Sequence, residues 1–269
     1  MEHFDETSAL QTNQRQYKIS LCTTCMGRLH DLKVTLPVNI ALNGSYPNVE
    51  FVVLDYNSSD GVGAWIERNL SQHLDSGRLV YFRTEEPAHY SMTHSRNVAF
   101  KASTGDIVCN VDADNYTIDI FRSPESRPSS CFAERINAIA NQSGARAVFL
   151  KDERMIRGRL GFYRDEFIGQ LGGYDEGLSG YGYDDHDLCR RAIELGFECH
   201  RFGSAYYSRI ETEESMKGAN MADPNRRSTE RANRLRSRRN IQRHRFVANV
   251  GREWGKATLQ RNFADWITT

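Results

Sequence analysis

The chain has 269 residues and balances 35 basic against 35 acidic side chains, long enough to bury a core without disulfide or metal staples. That balance excludes a global electrostatic field of the sort that marks nucleic-acid binders, so no nucleic-acid partner is expected. Six cysteines, the polar opening MEHFDETSALQTNQRQ and the lack of any run near the roughly 20 apolar residues that span a bilayer point to reduced thiols and a cytoplasmic setting, peripheral membrane contact staying open.

Residues 1–16 are polar and aperiodic and are read as a flexible arm. YKISLCT (17–23) and VEFVVLDY (49–56) are short β-rich runs. Between them Leu29, Leu32, Val34, Leu36, Ile40 and Leu42 fall at helical spacing, with Pro37 placed to kink or restart the helix. GVGAWIERNLSQHLDSG reads as a second helix stopped at Gly77, RLVYFR (78–83) as a strand, and Met92 to Ser103 as a third helix closed by Thr104 and Gly105. The strand DIVCNV comes next. Beyond Tyr116 the pattern loosens through FRSPESRPSS, before a helix in CFAERINAIANQSG and a strand in ARAVFL (145–150).

Eight glycines between 158 and 182 are too many for continuous regular structure, so this stretch reads as a strand, a short helix (165–171) and a mobile loop. DDHDLCRRAIELG reads as an amphipathic helix with Leu188, Ala192 and Leu195 inward and Gly196 as its stop. FECHRFGSAYYSRI supplies the last strands. In NRRSTERANRLRSRRNIQRHR nine arginines face one glutamate, and the closing FVANVGREWGKATLQRNFADWITT reads as weakly helical. Strands alternating with helices of these lengths predict an α/β fold around a mostly parallel sheet.

Ligands of such sheets gather at the carboxyl ends of the strands. Three polar clusters fall there: CTTCMGR, DYNSSDG and DADN, which turns Asp55, Asp112 and Asp114 toward one cleft. Two carboxylates one residue apart repel each other, and a cation beside them removes that cost. Oxygen donors favour Mg²⁺ or Mn²⁺, which keep waters and complete their shell with substrate phosphates. Asp112 and Asp114 are therefore read as metal-diphosphate ligands, the alternative being a turn in which they accept from local amides.

The segments ISLCTTCMGR, FVVLDYNSSDG and SRNVAFKASTGDIVCNVDADN, in that order, resemble the family-2 nucleotide-sugar glycosyltransferases of the GT-A fold. The resemblance implies that Asp55 contacts uracil, that Arg96 serves the nucleotide together with Thr23 and Arg28, that Asp112 meets ribose or metal, and that Asp114 binds metal. LGGYDEGLSGYGYDDHDLCRRAIELG is similar to the acceptor-side segment of β-galactosyltransferases, where a Gly-Gly-Tyr-Asp motif precedes an acidic helix start carrying the catalytic base. This implies Asp185 as the base, with Gly173, Tyr181, Tyr183 and Asp184 near substrate. Asp184 as N-cap with Asp187 three residues on is similar to a capping box, leaving Asp185 about 100° around the helix to face the cleft.

The two resemblances cover Tyr17 to Ile210 and imply a GT-A domain over 17–211 with a basic C-terminal extension over 212–269. Together they imply a metal-dependent, inverting hexosyltransferase that uses Mn²⁺ or Mg²⁺ and a UDP-sugar. Its acceptor is a glycan, peptide, lipid or small molecule, and the loop from Gly172 to Tyr183 orders over donor. One departure stands out. Relatives place a metal-binding histidine on the strand after the acidic helix, where this chain has AYYSRIETEE, leaving Ser208, Glu211 or a water to substitute.

Rival readings attach to other features. Cys22 and Cys25 form a C-x-x-C of the kind used in thiol-disulfide exchange, and Cys22, Cys25, Cys199 and His200 are conceivable zinc ligands without the usual spacing. Neither explains Asp55, D-x-D and DDHD. A nucleotide-sugar or glycan-binding module without turnover is a third reading, against which the positioned Asp185 argues. The arginine run 226–245 suits a solvated helix, an anionic-membrane contact or a lid near the diphosphate.

Overall fold

The computed structural model describes residues 14–151, 159–211, 213 and 216–268. The arm 1–16 lies mostly outside the described residues. From the first strand, helices and strands alternate: β1 (Ile19–Cys25), α1 (Leu29–Leu42), β2 (Val49–Tyr56), α2 (Val62–Asp75), β3 (Leu79–Thr84), α3 (Met92–Ala102) and β4 (Ile107–Asn110). Then come β5 (Asn115–Tyr116), α4 (Phe132–Ala140), β6 (Ala147–Leu150), β7 (Leu160–Tyr163), α5 (Arg164–Gly169), α6 (Asp184–Glu194), β8 (Glu198–Arg201) and β9 (Ser208–Arg209). The chain ends with α7 (Arg226–Gln242), β10 (Thr258–Arg261) and β11 (Trp266–Thr268).

Nine strands form one sheet in the order β11-β10-β3-β2-β1-β4-β7-β6-β8, and β5 pairs with β9 in a separate two-stranded ribbon. β3, β2, β1 and β4 run parallel, whereas β7 is antiparallel to both β4 and β6. Strands covered on both faces are buried along their length, and every residue of β1 and β2 is buried, the polar Ser20, Glu50 and Asp55 included. Side chains alternate between two cores. Leu21, Phe51, Val53 and Ile107 pack on the side of α1, α2 and α4, while Val52, Leu54, Val108 and Leu188 pack on the side of α3, α5 and α6. Among the described residues no helix is long and apolar enough to cross a membrane.

The sheet register brings the polar clusters together. Cys25 pairs with Asp55 across β1 and β2, and Cys22 with Asn110 across β1 and β4, so the chain leaves the three central strands along one rim. Pro37 does not restart α1, which runs through it as one element. The short helix predicted over 165–171 is α5, ending at Gly169.

The expectation of a weakly helical C-terminus is corrected: β10 adds antiparallel to β3 and β11 pairs with β10, so the tail extends the central sheet. The cause is the open hydrogen-bonding edge of β3, which a single short strand satisfies. Phe263 stacks on Tyr81 at 4.8 Å and Asn262 Oδ1 accepts from the Tyr81 amide at 2.8 Å, fixing the β10–β11 turn to that edge.

Cys22 and Cys25 sit three residues apart on β1 and pack into the two opposite cores. Burial pushes both thiols well above the ordinary cysteine range. Thiol-disulfide exchange needs an accessible thiolate and a partner on the same side, and this pair offers neither. The zinc reading fails because the two thiols face opposite sides of the sheet and, among the described residues, no three His, Cys, Asp or Glu gather for a metal.

Candidate active site

Arg96, in the second turn of α3, organises the rim. Its side chain is buried, and its guanidinium donates from Nη2 to Asp112 Oδ1 at 3.1 Å, from Nη1 to Asp185 Oδ1 at 2.9 Å, and from Nη1 to Asp184. One fixed cation thus ties the end of β4 to the start of α6. Burial works against its charge, and the three carboxylates more than offset this, holding the guanidinium well above the ordinary range. The acids pay the electrostatic surplus. Burial first, and the neighbouring Asp185 second, push Asp184 up to about 7 against the pull of Arg96.

The residues after β4 form a tight turn, closed by the Asn115 amide donating to the Asp112 carbonyl at 2.9 Å. Asp112 also accepts from Asn110 Nδ2 at 2.8 Å, while Asp114 accepts from Asn115 Nδ2 at 2.7 Å and lies 3.5 Å from Arg28 Nη2. Asn115 Oδ1 is buried without a hydrogen-bond partner beside this pair. Two carboxylates and one amide oxygen, with no nitrogen or sulfur donor, suit Mg²⁺ or Mn²⁺, which take the rest of their shell from water and phosphate. The residues therefore fit such an ion as a partial shell. Among the described residues no group of three or more His, Cys, Asp or Glu gathers for metal. Of the expected substitutes for the missing histidine, Ser208 does not complete one: its Oγ donates to the Ile118 carbonyl at 3.0 Å and faces away, while its neighbours Tyr207 and Arg209 line the cavity.

α6 starts differently from the capping-box expectation. Tyr183 holds the N-cap position in the left-handed region (φ 69°) without a side-chain cap, and Asp184 turns to Arg96 instead. Asp187 is buried and accepts from Arg191 Nε at 2.7 Å one turn on. The Arg191 guanidinium then donates to the carbonyls of Leu171 at 2.9 Å and Gly173 at 2.8 Å, locking the glycine-rich loop to α6. A buried arginine with carbonyls to serve outcompetes a helix amide for the carboxylate of Asp187. Asp185 stays at the cavity wall, within 3.4 Å of the Tyr174 hydroxyl.

A cavity of about 310 Å³ opens at this rim and brings together Arg28, Arg96, Asp112, Asp114, Asp184 and Asp185. Tyr181 and Tyr183 line it too; the Arg226 guanidinium lies 3.9 Å over the Tyr181 ring and Tyr183 stacks on His186 at 5.3 Å. Three of the sequence-derived residues stand elsewhere. Asp55 is fully enclosed, accepting from the Ser58 amide at 2.8 Å, the Tyr81 hydroxyl at 2.7 Å and Arg83 Nη1 at 2.7 Å. Thr23 donates to the Val111 carbonyl at 2.7 Å on the other face of β1, and the next residue, Thr24, lines the cavity. Gly173 packs under Trp254, where an added Cβ would come within 2.4 Å of the ring, so its backbone shape serves the loop.

The glycine-rich loop is held, in contrast to the mobile loop expected. Asn233 Nδ2 on α7 donates to the carbonyls of Ser179 at 3.0 Å and Gly182 at 2.8 Å, and Thr229 exchanges hydrogen bonds with the Tyr181 backbone at 3.1 Å. Asp175 accepts from Arg236 Nε at 3.1 Å, Asn240 Nδ2 at 3.3 Å and Arg252 Nη2 at 3.3 Å. Burial would raise this carboxyl, but Arg236 and the Gly177 amide hold it below the ordinary range. The inner face of the arginine-rich helix is thus a clamp on the acceptor-side segment. Sequence reasoning missed this and the cavity residues Arg209, Lys217, Asn220 and Met221, for which no local pattern gives a signal.

Residues 20–119 match the family model described as glycosyl transferase family 2, and residues 150–214 match one described as the N-terminal domain of galactosyltransferase. The first match contains Arg96, Asp112 and Asp114 and the second Asp184 and Asp185, so both resemblances drawn from the motifs hold. No curated protein matches the chain by sequence. Among solved structures it is similar to the mannosyltransferase PcManGT from Pyrobaculum calidifontis in complex with GDP-Man and Mn²⁺, with 18% identity and TM-score 0.57 over 74% of this chain and 59% of that one. It is also similar to S. aureus TarS in complex with UDP (16% identity, TM-score 0.54, 73% of this chain and 61% of that one). GalNAc-T7 with UDP, GalNAc and Mn²⁺ is a third (14% identity, TM-score 0.54, 82% of this chain and 47% of that one). The chain spans less than two thirds of the length of each. At such identities the likeness is one of fold, and the fold is GT-A.

Proposed function

We propose that this chain is a glycosyltransferase of hexosyltransferase type that moves a sugar, with inversion, from a nucleotide-linked donor to an acceptor hydroxyl. The observation that carries the reading is the bridge through Arg96, which sets Asp112 and Asp185 on one cavity. A transferase needs two chemistries within one substrate length: an anchor for the departing diphosphate and a proton acceptor for the attacking hydroxyl. In this assignment the acceptor oxygen forms the new bond to the anomeric carbon, the bond from that carbon to the diphosphate oxygen breaks, and Asp185 takes the hydroxyl proton.

Asp112 and Asp114, with Asn115 Oδ1 beside them, would hold Mg²⁺ or Mn²⁺. Such an ion supplies charge neutralisation to the leaving diphosphate. Arg28, Arg209 and Lys217 add positive charge from the cavity wall. Arg96 keeps Asp185 oriented, and Tyr181 and Tyr183 present ring faces of the kind that pack against sugars. The mannosyltransferase, TarS and GalNAc-T7 structures support a nucleotide-bearing donor for a GT-A site.

The test is a panel of nucleotide sugars with Mn²⁺ or Mg²⁺ and an EDTA control, read as nucleoside diphosphate release, with and without Asp185→Asn. Turnover should fall by roughly two to four orders of magnitude in the variant, the usual scale for a lost general base, while nucleotide binding persists. Binding of donors with no release from any of them would identify a binding module instead. Near-normal turnover in Asp185→Asn would move the base elsewhere.

A further inference from the structure

The chain has six methionines; Met1 and Met155 fall outside the described residues, and the other four, Met26, Met92, Met216 and Met221, all line the cavity described above. They come from three segments: the turn after β1, the first residue of α3, and the stretch that follows β9. Asn220 joins these segments. Its side chain donates to the Met26 carbonyl at 2.5 Å, and its own carbonyl accepts from the Tyr90 amide at 2.7 Å. The Tyr90 hydroxyl in turn shares a hydrogen bond with Thr24 at 2.6 Å.

The position of this wall follows from α3. Met92 and Arg96 are four residues apart and share a helix face, so the methionine wall begins one turn from the guanidinium that holds Asp112, Asp184 and Asp185. The cavity wall therefore carries thioethers as well as charge. A nucleotide sugar whose diphosphate sits by Asp112 and Asp114, with its sugar toward Asp185, has one flat group left to place. That group is the nucleobase.

We propose that the base is held by face contact against Met26, Met92 and Met221, and that Asp55 does not read it, so the site discriminates weakly between bases. The inference rests on the nucleotide-sugar reading above and deepens it. All three polar donors around Asp55 belong to the protein, and the carboxylate does not reach the cavity. The Thr24 hydroxyl and the Asn220 amide are likewise engaged within the protein. Methionine is unbranched and polarisable, and surfaces made of it repack around different ligands. A site that reads a ligand through buried hydrogen bonds can reject its analogues by about 10⁴-fold or more, whereas apolar contact discriminates by only about 10- to 200-fold.

The experiment measures equilibrium binding of UDP, GDP, ADP and CDP to the full chain in the presence of Mg²⁺. The four affinities should lie within about tenfold of one another, the lower end of what apolar contact discriminates. Met92→Ala should weaken all four alike by about tenfold, and Met92→Leu, which keeps the apolar volume, should restore most of the loss. A preference of about a thousandfold or more for one base in the unmodified protein, beyond what apolar contact supplies, overturns the proposal, as does equal affinity of Met92→Ala and the unmodified chain. Either result leaves a nucleotide site in place. If none of the four binds to folded protein, the nucleotide-sugar reading falls with it.

Discussion

Replacing Arg96 by Met removes one buried positive charge and leaves Asp112, Asp184 and Asp185 facing one another without it. Breaking a buried pair from one side costs about 3 to 5 kcal/mol, because the stranded partners keep their desolvation penalty. At about 2 to 4 °C per kcal/mol for a chain of this size class, the melting temperature should drop by about 10 °C. The loss should also depend on pH. Asp184 is already raised to about 7 by burial and by Asp185, and Arg96 is what pulls it down, so its loss raises that carboxyl further.

A carboxyl raised in the folded state contributes stability that is complete below its unfolded pKa and is lost as pH climbs through the folded one. The variant should therefore lie closest to the unmodified chain at pH 5, where Asp184 is largely protonated in both, and furthest from it at pH 8. Urea unfolding at both pH values, with unchanged m, measures the two differences. A deficit below about 1 kcal/mol at pH 8, within the range of an exposed ion pair, would refute the reasoning, as would equal deficits at the two pH values.

Asp114→Ala should abolish the increase in UDP affinity on adding Mn²⁺ while leaving the metal-free affinity nearly unchanged; an intact Mn²⁺ response measured by calorimetry would place the ion elsewhere. Asp175→Ala removes the acceptor shared by Arg236, Asn240 and Arg252. About 1 to 3 kcal/mol of stability should be lost, the range for stranded hydrogen-bond partners, with faster proteolysis between residues 172 and 183. Unaltered cleavage there would show that α7 does not hold the loop.

The parallel half of the sheet was legible because short β-rich runs alternate with stretches at helical spacing, the order that parallel strands with crossover helices require. The carboxylates were legible for a related reason: a strand that ends in charge has to deliver that charge somewhere, and the parallel register sends β1, β2 and β4 to the same rim. What the sequence did not show was which acid each cation takes. Arg96 follows Met92 by one turn and precedes Asp112 by 16 residues, and nothing local says that it also reaches Asp184 and Asp185, 88 and 89 residues on. Once those long-range partners exist, the local alternative loses, which is why the capping-box reading of Asp184 and Asp187 failed. Thr23 and Thr24 differ by one position, and strand alternation alone separates the one that ties β1 to residue 111 from the one that meets the cavity.

The arginine-rich helix was hard to read for a different physical reason. A helix normally announces its packing face by apolar residues at three- and four-residue spacing, and α7 has no such stripe. Its inner face is Thr229, Asn233 and Ser237, buried at four-residue spacing, because the surface it covers is a glycine-rich loop whose bare carbonyls and amides require hydrogen-bond partners. Polar side chains are the complement of exposed backbone, as apolar ones are of a hydrophobic groove. A pattern search keyed to hydrophobicity sees only the arginines on the outside and reads a solvated rod. The same pairing explains why the loop can carry so many glycines and still be ordered: the side chains it lacks are supplied by α7, whose first turn, at Arg226, also closes the cavity wall beside Tyr181.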